Sequence, residues 1–300
     1  MASEPTGAGT PPARGGFRRF LQRGAPSDGP PAGLGLLGAA GIVALGFLGS
    51  RVLGLLRTVA IADAFGTDSE LAAYNVAFLL PDLVFQLLAG ATLSAAFIPV
   101  YSRVVLHEGP GEAWRLASRV LNLVSVATFV AAGVAWLLAP VLVPLLAHDL
   151  GTASGREAEL QELAVELTRL MLLSPVLFGI SGMLTGILNA RQHFVAPALA
   201  PMIYNASIIF GALVLAGPLG VEGLVWGVVI GAAGHLLVQV PALRRVGMQW
   251  SPSLSLRASS VREVLRLMGP RVIGLGASQL NFAVLLVLSS SVSDAAVSGV

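Results

Sequence analysis

Residues 50–66 read SRVLGLLRTVAIADAFG, and they place Arg51 and Arg57 inside a run that is otherwise almost entirely apolar. An uncharged stretch from Ala32 to Ser50 leads into Arg51. Together they make one helix over about residues 34–65, long enough to cross the hydrocarbon of a bilayer, which takes about 20 residues. At 1.5 Å per residue, Arg51 lies roughly 25 and 22 Å from the two ends of that helix. A guanidinium can snorkel only a few ångströms, so neither interface is within comfortable reach. Holding it mid-membrane costs from about 3 to more than 10 kcal/mol, depending on the measure. Such a residue either faces a wet, anion-accepting cavity or is a structural arginine paired with helix-end carbonyls or a neighbouring carboxylate.

The rest of the chain has the same character. Of 300 residues, 55% are hydrophobic and 11% charged, and the mean hydropathy is +0.81. Soluble domains are about one quarter charged, so the class is an all-α, polytopic transmembrane bundle. Seven helices are expected, near 34–65, 71–105, 120–147, 160–189, 194–216, 219–243 and 262–290. Prolines within them, among them Pro81, Pro99, Pro175, Pro201 and Pro270, are tolerated where neighbouring helices satisfy the freed backbone groups. Residues 1–32, rich in Pro and Gly with Arg14, Arg18, Arg19 and Arg23, read as a disordered tail. No cysteine and no lysine occur. That excludes disulfides, thiolate chemistry and a Walker A loop.

Loop charges alternate. The tail, the connection after helix 2 (Arg103, Arg115, Arg119), Arg191 after helix 4 and the cluster Arg244, Arg245, Arg257, Arg262 and Arg266 are basic. The loops between them are acidic or lack a basic residue. The positive-inside rule then puts the N-terminus in the cytoplasm and the end of helix 7 outside.

Helix 2 reads AAYNVAFLLPDLVFQLLAGATLSAAFIPVYS. Asn75, Asp82 and Gln86 stand seven and four residues apart, on one helical face. They either line a cavity beside Arg51, with Asp82 as an arginine counter-ion, or hydrogen-bond between helices. In helix 4, Gly179, Gly182 and Gly186 suit close packing. In helix 5, Asn205 follows Pro197 and Pro201 and is positioned to cap a freed carbonyl. His107, His148, His193 and His235 are scattered. No catalytic or metal-ligand constellation emerges, and no cofactor, metal or nucleic-acid site is expected.

SRVLGLLRTVAIADAFG, the helix 2 stretch, GILNARQHFVAPALAPMIYN and LMGPRVIGLGASQLN together resemble the MurJ/MviN family, over about residues 35–292. That resemblance implies a flippase, not an enzyme, in the bacterial cytoplasmic membrane. Its substrate would be lipid II, the undecaprenyl-pyrophosphate-linked peptidoglycan precursor, or a related lipid-linked saccharide. It implies membrane lipids and cell-wall synthesis proteins as neighbours, and alternating access between two lobes of the multidrug/oligosaccharidyl-lipid/polysaccharide superfamily. On this reading residues 33–246 form the six-helix N-lobe. Residues 247–300 form a cytoplasmic connection and helix 7, the first helix of a second lobe that the chain breaks off. The family's S-R-x-L-G-x-x-R arginines fall on Arg51 and Arg57. Where well-studied members carry charges, this chain has Thr58, Ala72, Phe85, Gln86 and Gly90. Those departures leave open an exporter of another lipid-linked oligosaccharide or a small cation, or a scaffold that does not transport.

Overall fold

The computed structural model describes residues 36–66, 69–88, 91–147, 150–152 and 155–298; side chains at 36–37, 39, 91–94, 271, 280 and 282–298 are not included. The stretch 1–32, expected to be a disordered tail, and the side chain of Arg271 lie outside what is described.

Every regular element among the described residues is helical. The elements are α1 (Leu36–Phe65), α2 (Ser69–Ala77), α3 (Leu79–Leu88), α4 (Ala91–His107), α5 (Pro110–Leu146), α6 (Glu157–Met171) and α7 (Leu173–Ala190). There follow α8 (Val195–Phe210), a wide turn at Gly211–Leu215, α9 (Ala216–Leu219), α10 (Val221–Leu237), α11 (Val240–Arg245) and α12 (Ser259–Ser298). Among the described residues, six stretches are long and apolar enough to cross a membrane: Ala40–Phe65, Ser69–Leu88, Pro110–Leu146, Glu157–Ala190, Val195–Leu219 and Val221–Arg245.

Three expected helices are interrupted, each next to proline. Proline lacks the N–H that would bond the carbonyl four residues back. Pro81 accompanies the break at Phe78, Pro175 the break at Leu172, and Pro241 the break at Val238–Gln239. Expected helix 2 is therefore not one rod. Asn75 and Asp82 stand on separate helices, so their seven-residue spacing no longer assures a common face. Expected helix 3 begins at Pro110 rather than near 120. Arg115 and Arg119 thus stand on α5, where Trp114, Leu116 and Ala117 are buried against α4 and α12.

Backbone proximity holds the bundle together. A Cβ on Gly46 would overlap Ala198, and one on Gly49 would overlap Met202, so α1 lies close along α8. A second seam joins α8 and the wide turn to α10, where Gly211, Gly223, Gly227 and Gly231 leave no room for a methyl group. Small residues at membrane helix contacts let backbones approach and gain dispersion energy, since lipid supplies no hydrophobic drive between helices. Gly179 of α7 does the same against buried Thr128 of α5.

The connection from α11 to α12 is tied to α5. Asn122 Nδ2 donates to the carbonyls of Ser251 (2.8 Å) and Ser253 (3.0 Å), and its Oδ1 accepts from Trp250 Nε1 at 2.9 Å. Ser118 Oγ accepts the Ser251 N–H at 3.1 Å. Arg103 of α4 holds Glu263 of α12 through two hydrogen bonds.

Candidate functional site

Two cavities open against α1. The larger, about 480 Å³, lies between α1, α3, α7, α8 and α10. Arg51 and Ser50 line it from α1, Phe85 from α3, Thr185 and Asn189 from α7, and His235 from α10. Its remaining wall is largely apolar, with Phe47, Phe178 and Pro201 among the lining residues. The second, about 420 Å³, lies between α1 and α2 and is lined by Arg57, Thr58, Tyr74 and Asn75.

The two arginines therefore do not share a hollow, and the geometry of α1 explains why. Six residues advance a helix by about 9 Å and turn it so that the two side chains stand about 120° apart. Arg51 is exposed to the cavity, and among the described residues no hydrogen bond or ion pair engages its guanidinium. This is the arrangement expected of a mid-helix arginine that faces a wet space.

The three polar residues of expected helix 2 are distributed differently from the cavity-lining arrangement. Asn75 joins Arg57 in the second cavity. Asp82 accepts a hydrogen bond from Gln86, and Gln86 in turn accepts one from Gln279 of α12. Neither residue lines either cavity. Asp82 makes no ion pair with an arginine among the described residues; its carboxylate belongs to a polar ladder linking α3 to α12.

Asn205 bonds a carbonyl one turn back, but not one that proline has freed. Its Nδ2 donates to the Pro201 carbonyl at 2.9 Å, although the carbonyl deprived by Pro201 is that of Pro197. It also approaches Ser50 Oγ at 3.5 Å, which bridges α8 to the residue preceding Arg51.

One group escaped notice as a unit. Ser181 Oγ lies 2.6 Å from His235 Nδ1 and accepts from Gln239 Nε2 at 2.7 Å. Gln239 is fully buried at the α10–α11 break, donates to the His235 carbonyl at 3.0 Å, and accepts from Thr185 Oγ1 at 3.0 Å. Two i,i+4 polar pairs, Ser181/Thr185 and His235/Gln239, face each other across α7 and α10. That spacing was visible in the sequence and could have found them. Phe178 packs edge-on to the His235 ring at 5.3 Å and to Tyr204 at 5.1 Å, which fixes the wall of the cavity.

A bundle of broken, proline-bearing helices with arginines inside its first span narrows the comparison. The family model for lipid II flippase MurJ matches residues 61–300. The chain belongs to the MurJ family. The matched MurJ region begins just past Arg57 and takes in Asn75, Asp82, Gln86 and His235. Lipid II flippase MurJ of Burkholderia cenocepacia is 32% identical over 269 residues, covering 83% of this chain and 49% of that protein. A solved structure of lipid II flippase MurJ in an inward closed conformation superposes with a TM-score of 0.63 at 25% identity, covering 81% of this chain and 49% of that one. A MATE structure in complex with MaD3S gives a TM-score of 0.63 at 17% identity, over 82% of this chain and 54% of that one, and shares the fold. The chain spans about half the length of the curated MurJ relatives it matches.

Proposed function

We propose that the chain forms the anion-receiving lobe of a flippase that carries lipid II across the bacterial cytoplasmic membrane by alternating access. One observation carries this reading: Arg51, free of protein partners among the described residues, lines a largely apolar cavity inside a membrane bundle. A guanidinium fork engages phosphate oxygens bidentately, and a low-polarity wall strengthens that contact. Membership of the MurJ family supports the same substrate.

In this reading Arg51 receives the diphosphate, and Arg57 with Asn75 forms a second polar station along α1. Asp82 and Gln86 act through the ladder to α12. Residues 33–246 form the lobe, and 247–300 lead into its partner lobe. The N-terminus is cytoplasmic by the alternation of loop charge. The work is transport, not catalysis, and cell-wall synthesis proteins are its expected neighbours.

The test is genetic. In cells depleted of their own flippase, the gene encoding this chain restores growth, and Arg51→Ala abolishes rescue at equal membrane abundance. Full rescue by the variant overturns the reading. A different lipid-linked oligosaccharide is the second reading, and it is favoured by Phe85, an uncharged ring, lining the Arg51 cavity. Depletion of the protein in its own host separates the two, because only the first predicts accumulation of lipid II.

A further inference from the structure

The cavity holds a second group able to carry positive charge. His235 lines it beside Arg51, and its Nδ1 is held by Ser181. Its Nε2 makes no protein hydrogen bond among the described residues, so this nitrogen remains for an occupant of the cavity. Imidazole is the side chain whose charge ordinarily changes near neutral pH.

We infer that His235 is the proton-accepting partner of Arg51, so that this cavity binds a disubstituted diphosphate together with one proton. The inference rests on the reading of Arg51 as a diphosphate site. A diphosphate ester substituted at both phosphorus atoms carries two negative charges. Arg51 supplies one positive charge, and the second cavity keeps Arg57 apart. A protonated His235 supplies the other.

The hydrogen-bond network allows this without orphaning a partner. With a neutral ring, the Ser181 hydroxyl can donate to Nδ1. When Nδ1 gains a proton it becomes the donor, and the hydroxyl proton turns to the His235 carbonyl, already 3.2 Å away. Gln239 goes on donating to Ser181 throughout. Nε2 carries its hydrogen in both states and is the donor left for an anion; the proton gained at Nδ1 makes that donor charged. An empty cavity shared with Arg51 suits the neutral ring, and an anion suits the charged one, so binding and protonation help each other.

The charged and titratable groups around the ring are few. Arg51 lines the same cavity from α1. Asp82 on α3 lies one turn before Phe85 and is engaged by Gln86. Tyr204 on α8 packs against Phe178. From α7 the network presents only Ser181 and Thr185, and on α10 itself Glu222 stands at the opposite end.

The probe is a farnesyl diphosphate carrying N-acetylglucosamine, which has no group of its own titrating between about pH 5 and 9. Calorimetry on the purified chain in nanodiscs, in buffers of different ionisation enthalpy, reads affinity and proton uptake together. Affinity is expected to rise about tenfold from pH 8 to pH 6, a coupling typical of linked sites. His235→Asn should flatten that dependence and abolish uptake. If Arg51→Ala binds as tightly as the parent, the diphosphate reading itself falls. If Arg51→Ala weakens binding but His235→Asn keeps full proton uptake, only this inference falls. Should His235→Asn not fold, a variant with His107, His148 and His193 replaced by Asn leaves one imidazole to observe by nitrogen NMR. Its signal must move to the protonated form when probe is added at about pH 7.5, and a signal unchanged by probe refutes the inference.

Discussion

Gly223 sits where α10 crosses the end of the wide turn. A methyl group there would lie 2.5 Å from the Leu215 carbonyl carbon and 2.6 Å from both the Leu215 oxygen and the Ala216 nitrogen. Ordinary carbon contacts are about 3.5–4.0 Å, so the overlap is about 1 Å and is entirely with backbone. No rotamer change relieves it; the wide turn must move away from α10 and lose contacts at Gly211 and Gly227 as well. Overpacking of this kind costs about 1–3 kcal/mol. Alanine regains up to about 1 kcal/mol of helix propensity over glycine, less in a first turn. Gly223→Ala should therefore destabilise by about 2 kcal/mol, a change of about thirty-fold in the ratio of folded to unfolded protein. Gly133 on α5 is the control, because a methyl there meets nothing within 4 Å. Gly133→Ala should be neutral or stabilising by up to about 1 kcal/mol. Reversible unfolding in mixed detergent micelles, followed by circular dichroism, measures both. If Gly223→Ala unfolds together with Gly133→Ala, the close α8–α10 seam does not determine stability and the packing account fails.

Two further outcomes concern the end of the bundle where α11 leads into α12. Asn122→Ala removes three hydrogen bonds from the 247–258 connection. A loss of about 1–3 kcal/mol is expected, and limited proteolysis should cut that segment faster than in the parent; an unchanged cleavage rate counts against the tether. Arg103 and Glu263 are half to one-third exposed (50% and 37%). A double-mutant cycle with Arg103→Ala and Glu263→Gln should give a coupling no greater than that of an ordinary exposed ion pair. A larger value would mean that the pair fixes α12 in place.

The spans were legible because apolar length alone determines them. The break at Phe78 was not, because proline was read as tolerated within the helix, and a seven-residue spacing implies a common face only where the helix is unbroken. The start of α5 was missed for a different reason. Its first turns, with Glu112, Arg115 and Arg119, look like loop by charge, yet their apolar side is buried. Arg51 was identified from depth alone. Its separation from Arg57 was also readable, since six residues do not return a helix to the same direction. His235 was noticed singly, and its partners only become evident when α7 and α10 are set side by side.

The spacing of the two guanidinium groups along α1 has a mechanical corollary. The two arginines leave α1 about 9 Å apart along its axis and about 120° apart around it, and they line separate cavities. On the proposed flippase reading, an anion moving along α1 would be handed from one cavity to the other, the first grip loosening before the second closes. Any change that made either station much stickier would slow the traffic rather than speed it.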